Sequence, residues 1–408
     1  MSAASDRHQS RTARLHGRPL VFLLAVCGML GGVATNLFLP ALPDIRSHFA
    51  VGQAAVQTTI SAYVIAFAAG ILIVGPLSDR FGRRPVILAG LGVFSTGSLL
   101  AALAPSLPWL VAARVVQAIG ASAGITVARA SVGDVFEGAH VARGIALMTM
   151  AMVIGNAVSP YVGGVIAEAL GWHADFWFLL IIGLATLLAC WWMLPETRSS
   201  HHRASGLRAL GRSARELLGR PLFLSFVLQS ALILSVFLVF MSVAPYVMAD
   251  TYGRPPSEFG LYSLLLSTGY FLGNVQVSRY AHSATAERLL FVGLWMQFAG
   301  SLAAVLLVLV GPDHPLCLFG PMLPVAFGQG MALPYMTGRA VTLAPGYAGT
   351  ASSLVGFAQQ SLGAICVQAM GWAPTDTALP VWLFCATAAA IALAPLFVLE
   401  RRAWSASS

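Results

Sequence analysis

The chain has 408 residues, 58% of them hydrophobic and 9% charged, with a formal net charge of +8. A soluble domain carries about a quarter of its residues as charged groups, so this composition excludes a water-soluble enzyme or binding module; at roughly 20 residues per spanning helix it leaves room for about a dozen membrane spans. The positive excess does not read as nucleic-acid binding, because it is gathered in short segments between apolar runs.

Arg7, Arg11, Arg14 and Arg18 precede the first apolar run, 20–40, and read as the cytoplasmic flank of an uncleaved first span. That run carries Asn36 and ends on Leu39-Pro40-Ala41-Leu42-Pro43, where two prolines also suit a plain helix terminator. A second run, 55–77, contains Tyr63 and leads into Gly75-Pro76-Leu77-Ser78-Asp79-Arg80-Phe81-Gly82-Arg83-Arg84-Pro85, after which a third run fills 86–105. Four ionised groups cannot lie in hydrocarbon, so this corner belongs in the headgroup layer. Gly75 and Gly82 permit the turn, and Pro85 suits the first turn of the next helix.

The fourth run, 108–132, holds Arg114, Gln117 and Arg129 and stops before Gly133-Asp134. The fifth, 144–168, contains Gly155-Asn156-Ala157-Val158-Ser159-Pro160-Tyr161-Val162-Gly163-Gly164, and the sixth covers 176–195. From Glu196 to Arg220 the chain is polar and basic, with Leu207, Leu210, Leu217 and Leu218 spaced as a short amphipathic helix. Each arginine there gains up to about 1 kcal/mol on anionic headgroups, and His201-His202 read as a solvated pair, not a metal site. Six further runs follow at 221–249 (with Gln229), 259–279 (Tyr270, Asn274), 288–311, 315–339, 347–371 (Gln359, Gln360) and 379–399.

With the N-terminus cytoplasmic, 19 arginines fall on the inside against 2 outside, Arg46 and Arg254, which fixes the orientation with both termini inside. The halves look like distant copies offset by about 200 residues: Pro40 with Pro245, Asp44 with Asp250, Ser78-Asp79-Arg80 with Ser278-Arg279-Tyr280. The expected organisation is an N-terminal six-helix bundle over 1–197, a basic cytoplasmic linker over 198–220 and a C-terminal six-helix bundle over 221–408. The five cysteines all sit in apolar runs without paired spacing and read as packing residues.

The corner matches, at Gly75, Leu77, Asp79, Arg80, Gly82, Arg83 and Arg84, the loop between the second and third helices of the major facilitator superfamily. Leu39 to Pro43 resembles the L-P-x-L-P signature of its twelve-span drug/proton antiporters. Arg114 to Ala121 resembles the R-x-x-Q-G-x-G-A segment with Ala118 in place of glycine, and Gly155 to Gly164 is similar to the antiporter motif G-x-x-x-G-P-x-x-G-G with Ser159 in place of glycine. Ala128-Arg129-Ala130-Ser131-Val132-Gly133-Asp134 resembles the end of helix 4 in the Bcr/CflA branch, with Gly133 replacing an arginine. Met241 to Tyr246 and Ala348 to Ser353 also suit that branch.

The resemblance implies an all-α membrane protein of two pseudo-symmetric six-helix bundles in a bacterial inner membrane. It implies export of small amphiphilic compounds by alternating access in exchange for protons. The cytoplasmic gate would comprise Gly75, Asp79, Arg80, Gly82, Arg83, Arg84 and Asp134, with Asp79 accepting from the helix 11 N-terminus near Gly346 to Gly349 and Arg83 paired with Asp134. Gly155, Pro160, Gly163 and Gly164 would let helix 5 approach its neighbour closely.

Polar groups in apolar spans should face the bundle interior, which makes Asn36, Tyr63, Arg114, Gln117, Asn156, Gln229, Tyr270, Asn274, Gln359 and Gln360 the candidate cavity wall; each also suits a helix-helix hydrogen bond. Proton coupling departs from the branch, whose helix 1 aspartate is Asn36 here. None of the fifteen acids falls at the centre of a span, Asp44 and Asp175 among those placed outside, so coupling is expected through Asp134 or another peripheral acid, with Arg129 a further candidate, or is absent. No nucleotide-binding loop, catalytic cluster or metal motif is present, so no cofactor is expected beyond the proton gradient, and an intramembrane enzyme is a remote alternative. A nutrient importer of the same fold remains open, as does the nature of the compound. The expected partners are a small molecule and anionic lipid, with the chain a monomer.

Overall fold

A computed structural model describes residues 2–136, 139–198, 214–280, 285–311 and 314–395. Most of the expected linker, with His201 and His202, lies outside the described residues, as do Arg401 and Arg402. The helices are α1 (Ser2–Asn36), α2 (Leu42–His48), α3 (Gln53–Phe81), α4 (Arg83–Ala102), α5 (Leu107–Val135), α6 (Ala139–Leu170) and α7 (His173–Met193). They continue as α8 (Pro221–Asp250), α9 (Pro256–Tyr280), α10 (Thr285–Val310), α11 (Pro315–Phe319), α12 (Met322–Thr342), α13 (Ala348–Met370) and α14 (Leu379–Pro395). No strand occurs among the described residues.

Twelve of these match the twelve apolar runs; α2 and α11 are short additions, α2 following a 3₁₀ turn at Leu39–Ala41. Helices begin where proline occupies the first turn, as at Pro108, Pro221 and Pro315, since the missing N–H has no partner to lose there. The α3–α4 corner is tighter than expected. Gly75 and Pro76 stay inside α3, and the chain turns at Gly82 alone, whose φ of 102° is closed to other side chains.

Nine of the described helices are long and apolar enough to cross a membrane on length and composition. The other three have physical reasons to fall short. α9 carries Glu258 and Arg279, α13 carries Gln359, Gln360 and Gln368, and α14 has 17 residues. α9 and α13 are also the helices that meet the opposite half.

Packing repeats with a shift of six spans. In the first half α1 packs on α5, α6 and α7, α3 on α5, and α4 on α5 and α7; in the second α8 packs on α12, α13 and α14, α9 on α12, and α10 on α12 and α14. The halves meet along two seams related by the same shift, α3 with α13 and α6 with α9. Small residues make these approaches possible. A methyl group on Gly163 would overlap the carbonyl of Leu37, just after α1, one on Gly164 would come 2.5 Å from the Pro256 carbonyl, and one on Gly260 would strike the backbone of Pro160 and Tyr161.

Cys27 of α1 and Cys190 of α7 are buried with their sulfurs 3.4 Å apart, a thiol contact that sequence spacing did not suggest. Expected behaviour of the packing separates crowded from open glycines. Gly163→Val should lower the thermal unfolding midpoint, an overpacking cost of about 1–3 kcal/mol. Gly92→Ala, at a helical glycine with nothing within 4 Å, should leave that midpoint unchanged or raise it. Equal midpoints for the two variants, measured by thermal melts in detergent, would contradict the packing.

Candidate functional site

The corner is built around Arg83. Its Nε donates to Asp134 Oδ2 of α5 at 2.9 Å, and its Nη1 donates to Asp79 Oδ1 at 2.5 Å and to Ser78 Oγ at 2.6 Å. The Arg83 and Asp134 side chains are each 7% exposed, against 32% for Asp79. One guanidinium therefore joins the last turn of α3, the first turn of α4 and the end of α5, and its planar fork satisfies both carboxylates at once. Among the described residues the bonds found at Asp79 are those from Arg83 and Arg198, and none to the start of α13 is found.

A strap that the sequence reading missed closes over the corner. Glu196, just beyond α7, accepts from the backbone N–H of Arg83 at 2.8 Å and of Arg84 at 3.2 Å, and Arg198 donates to the carbonyls of Asp79 and Arg80. Its carboxylate thus caps α4, whose first N–H groups have no helical partner. Arg84 adds a bond to the Trp191 carbonyl, while Arg80 lies over the ring of Phe81. The only signal for the strap was a Pro-Glu-Thr-Arg run at the end of the sixth span.

Arg114, Tyr63 and Gln117 come together, but inside the first bundle. Arg114 and Gln117 are fully buried. The guanidinium lies 4.0 Å from the Tyr63 ring centre and 4.2 Å from that of Phe38, and donates to the Ala34 carbonyl at 2.9 Å and to Gln117 Oε1 at 2.5 Å. Gln117 donates onward to Ser98 at 2.8 Å, and Tyr63 donates to the Gly31 carbonyl at 3.0 Å. Arg114 thus binds α5 to α1, α3 and α4, its charge met by aromatic faces and carbonyls instead of a carboxylate. Its Nε and Nη2 have no hydrogen-bond partner.

The other predicted wall residues are dispersed. Asn36 is buried at the end of α1, and the Asn156 side chain of α6 lies against Gly32 with its Oδ1 unpaired. Gln229 donates to Ser225 at 2.8 Å, Asn274 to the Tyr270 carbonyl at 3.1 Å, and Gln359 to Thr337 at 3.4 Å. Gln360 is half-buried, and Arg129 is on the exposed face of α5. Gly155 faces Met29 and Val33 of α1. Among the described residues no group of three or more His, Cys, Asp or Glu could hold a metal ion.

The bonds found between the halves lie at the end away from the corner. Arg46 of α2 donates both guanidinium nitrogens to Asp250 at the end of α8, at 2.6 and 2.8 Å, and Thr375 donates to the same carboxylate at 2.8 Å. Gln57 donates to the Ser242 carbonyl at 3.2 Å, Ser61 to Gln368 Oε1 at 2.8 Å, and Gln368 to the Ala54 carbonyl at 2.9 Å. The sequence placed Arg46 and Asp250 in corresponding outer loops but gave no sign that they meet.

Burial alone would raise the Glu196 pKa, but four backbone N–H groups, of Arg198, Arg83, Arg84 and Thr197, outweigh it and hold the carboxyl below its ordinary value. A depressed folded-state pKa gives stability that is full above the unfolded value and is lost as pH falls through the folded one. The wild type should therefore melt higher than Glu196→Gln at neutral pH, with the gap narrowing as pH falls below the ordinary carboxyl range and the group protonates. A gap that persists unchanged into acid would refute the cap.

The family model of the Major Facilitator Superfamily matches residues 24–367. Among curated proteins, the chain is 30% identical over 388 residues to a chloramphenicol resistance protein of Pseudomonas aeruginosa, covering 91% of this chain and 88% of that one. It is 26% identical over 367 residues to a bicyclomycin resistance protein homolog of Haemophilus influenzae, covering 88% and 91%. Among solved structures, a bacterial homolog to the human lysosomal transporter Spinster, in an inward-facing and occupied conformation, superposes with a TM-score of 0.74 at 17% identity over 95% of this chain and 98% of that one. With twelve long helices in two mirrored bundles and a matching family model, the chain belongs to the Major Facilitator Superfamily, multi-pass membrane transporters of small molecules and not enzymes.

Proposed function

We propose that this chain exports small, moderately hydrophobic compounds of the antibiotic kind from a bacterial cytoplasm by alternating access, in exchange for protons. The observation that carries the reading is the asymmetry between its two ends. One end is locked by Arg46, Asp250, Gln57, Ser61 and Gln368, and the bonds found between the halves among the described residues all lie there, away from the corner. Two rigid bundles touching along two glycine-bearing seams are the parts such a cycle needs. The relatives named for bicyclomycin and chloramphenicol resistance support the Bcr/CflA branch and the direction of transport.

The arginine distribution supports a cytoplasmic corner end, and on that reading this conformation faces inward. Asn36, Asn156, Tyr270, Asn274, Gln359 and Gln360 are the polar groups proposed for the pathway between the halves. Arg114 and Gln117 instead hold the first bundle together. A few fixed polar groups on an apolar wall suit broad recognition. The cavity-facing set carries no carboxylate, so neutral compounds fit it better than strongly cationic ones. The basic stretch from Arg198 to Arg220 is proposed to rest on anionic lipid between a bundle over 1–197 and another over 221–408, with the monomer as the working unit.

Expression in a pump-deficient bacterium should raise tolerance to neutral antibiotics of the chloramphenicol class several-fold, and Asp134→Asn should abolish the gain while the protein still reaches the membrane. Unchanged tolerance across a broad panel of antibiotics would reject export. In vesicles, efflux should stop when the pH gradient is collapsed; efflux that continues would reject proton exchange. Arg46→Asp should cut transport about tenfold or more by setting two anions against each other, and adding Asp250→Arg should restore part of it. A double variant no better than the single one would remove the outer latch from the cycle.

A further inference from the structure

Asp175 was expected on the outer side, between the fifth and sixth spans. It lies instead in the first turn of α7, fully buried, and neither carboxyl oxygen has a hydrogen-bond partner. Trp172, one turn earlier, is buried with its indole N–H unpaired as well. Buried polar side chains without partners are rare, and a buried carboxylate without a cation or donor rarer still. Ionised, Asp175 would face neither water nor a donor. The neutral acid is the form this packing holds.

What lies against that turn is α2, the helix that carries the latch. His48 of α2 packs edge-on against Trp172 at 5.4 Å and against His173 at 5.4 Å, and Phe49 lies 5.6 Å from Trp172. Asp44, on the same short helix and exposed, is the charged group that acts on Asp175 electrostatically. Arg46, two residues further, is the residue bonded across the seam to Asp250. The remaining titratable neighbours are few. Arg114 of α5 lies 5.8 Å from the ring centre of the neighbouring Phe176 but gives its hydrogen bonds to Ala34 and Gln117, Glu168 of α6 is exposed, and α4 brings charge only at its corner end. Among the described residues no cation pairs with Asp175, so a second negative charge beside Asp44 would push α2 away from α7.

We propose that Asp175, faced by Asp44, is a proton-binding site whose occupancy holds the outer end of the transporter sealed. The proton comes from water on the outer side when the halves are apart there, converting carboxylate to carboxyl. It returns to that water when α2 lifts away. Because α2 bears both Asp44 and Arg46, loss of the proton and opening of the Arg46–Asp250 latch are one movement. The inference rests on the alternating-access reading but not on proton exchange, since the proton bound here need not be the one transported. By linkage, a state that binds one more proton is disfavoured up to about tenfold per pH unit of alkalinisation within the titration window.

The test uses the full chain in lipid nanodiscs, with the five native cysteines replaced and spin labels at Ser106→Cys and Arg254→Cys, both at the outer end but on opposite halves. Pulsed dipolar distances should give a short and a long population, with the short one falling from about pH 5 to about pH 9. Asp175→Asn should hold the short population at every pH. Asp44→Asn should keep the slope but move it to lower pH, because without the neighbouring anion Asp175 loses its proton more readily; a slope moved to higher pH overturns the role of Asp44. Replacing His48 and His173 with glutamine should leave the slope in place. If Asp175→Asn retains the wild-type slope, if the histidine variant abolishes it, or if the ratio of two populations ignores pH in the wild type, the inference is overturned while alternating access stands. A single distance under all conditions, with and without chloramphenicol, overturns both.

Discussion

Helices in hydrocarbon gain nothing by hiding apolar surface from lipid, so cohesion here depends on how closely backbones can approach. That constraint accounts for the distribution of glycine better than any local conformational need. Gly97 and Gly120 press α4 and α5 together, Gly124 meets the Cys27 carbonyl of α1, and Gly273 and Gly330 do the same for α9 and α12. The same device appears at the seam between halves, where Gly164 and Gly260 bring α6 and α9 into backbone contact. A seam of backbone and small residues has few interlocked side chains to disengage, which suits surfaces that must part.

Against that background the polar groups inside the bundles are few, and each fastens several helices. Arg114 holds four helices through a carbonyl, a glutamine and two aromatic faces. Arg83 holds three through two carboxylates and a hydroxyl. Removing one partner of a buried ion pair costs about 3–5 kcal/mol, because the survivor is stranded without water. Such groups therefore define the rigid bodies. In the conformation seen here the corner fastens the first bundle to itself and, through Glu196 and Arg198, to the segment leaving α7.

The twelve spans were legible because length and hydropathy decide them, and the corner because four charges and a glycine admit only a turn at the membrane surface. The Arg83 pairing with Asp134 was expected from the family resemblance alone; its physical reason, a buried guanidinium that needs an anion, is visible only in the structure. Gly75 was misplaced in the turn because α3 tolerates Pro76 near its end and runs on to Phe81. Arg114 was assigned to a cavity wall because a sequence cannot say whether Phe38 and Tyr63 will close over a cation. Asp175 was placed outside the span because it follows a loop; the turn that carries it is packed on by His48 of α2, a helix of 7 residues too short to register as an apolar period.

The exposure of the ion pairs explains which contacts can move. Arg83 and Asp134 are each 7% exposed, while Arg46 and Asp250 are 27% and 25% exposed. Water reaches the second pair, so its net strength sits nearer the roughly 0–1 kcal/mol of a surface bridge than the several of a buried one. A latch that weak can close a seam without trapping it, and a few such bonds at one end leave the balance between states to small inputs. The short helix α2 is placed to deliver them: one face carries the latch arginine, the other meets the aromatic and acidic turn of α7, so a change of charge on one side is felt mechanically on the other.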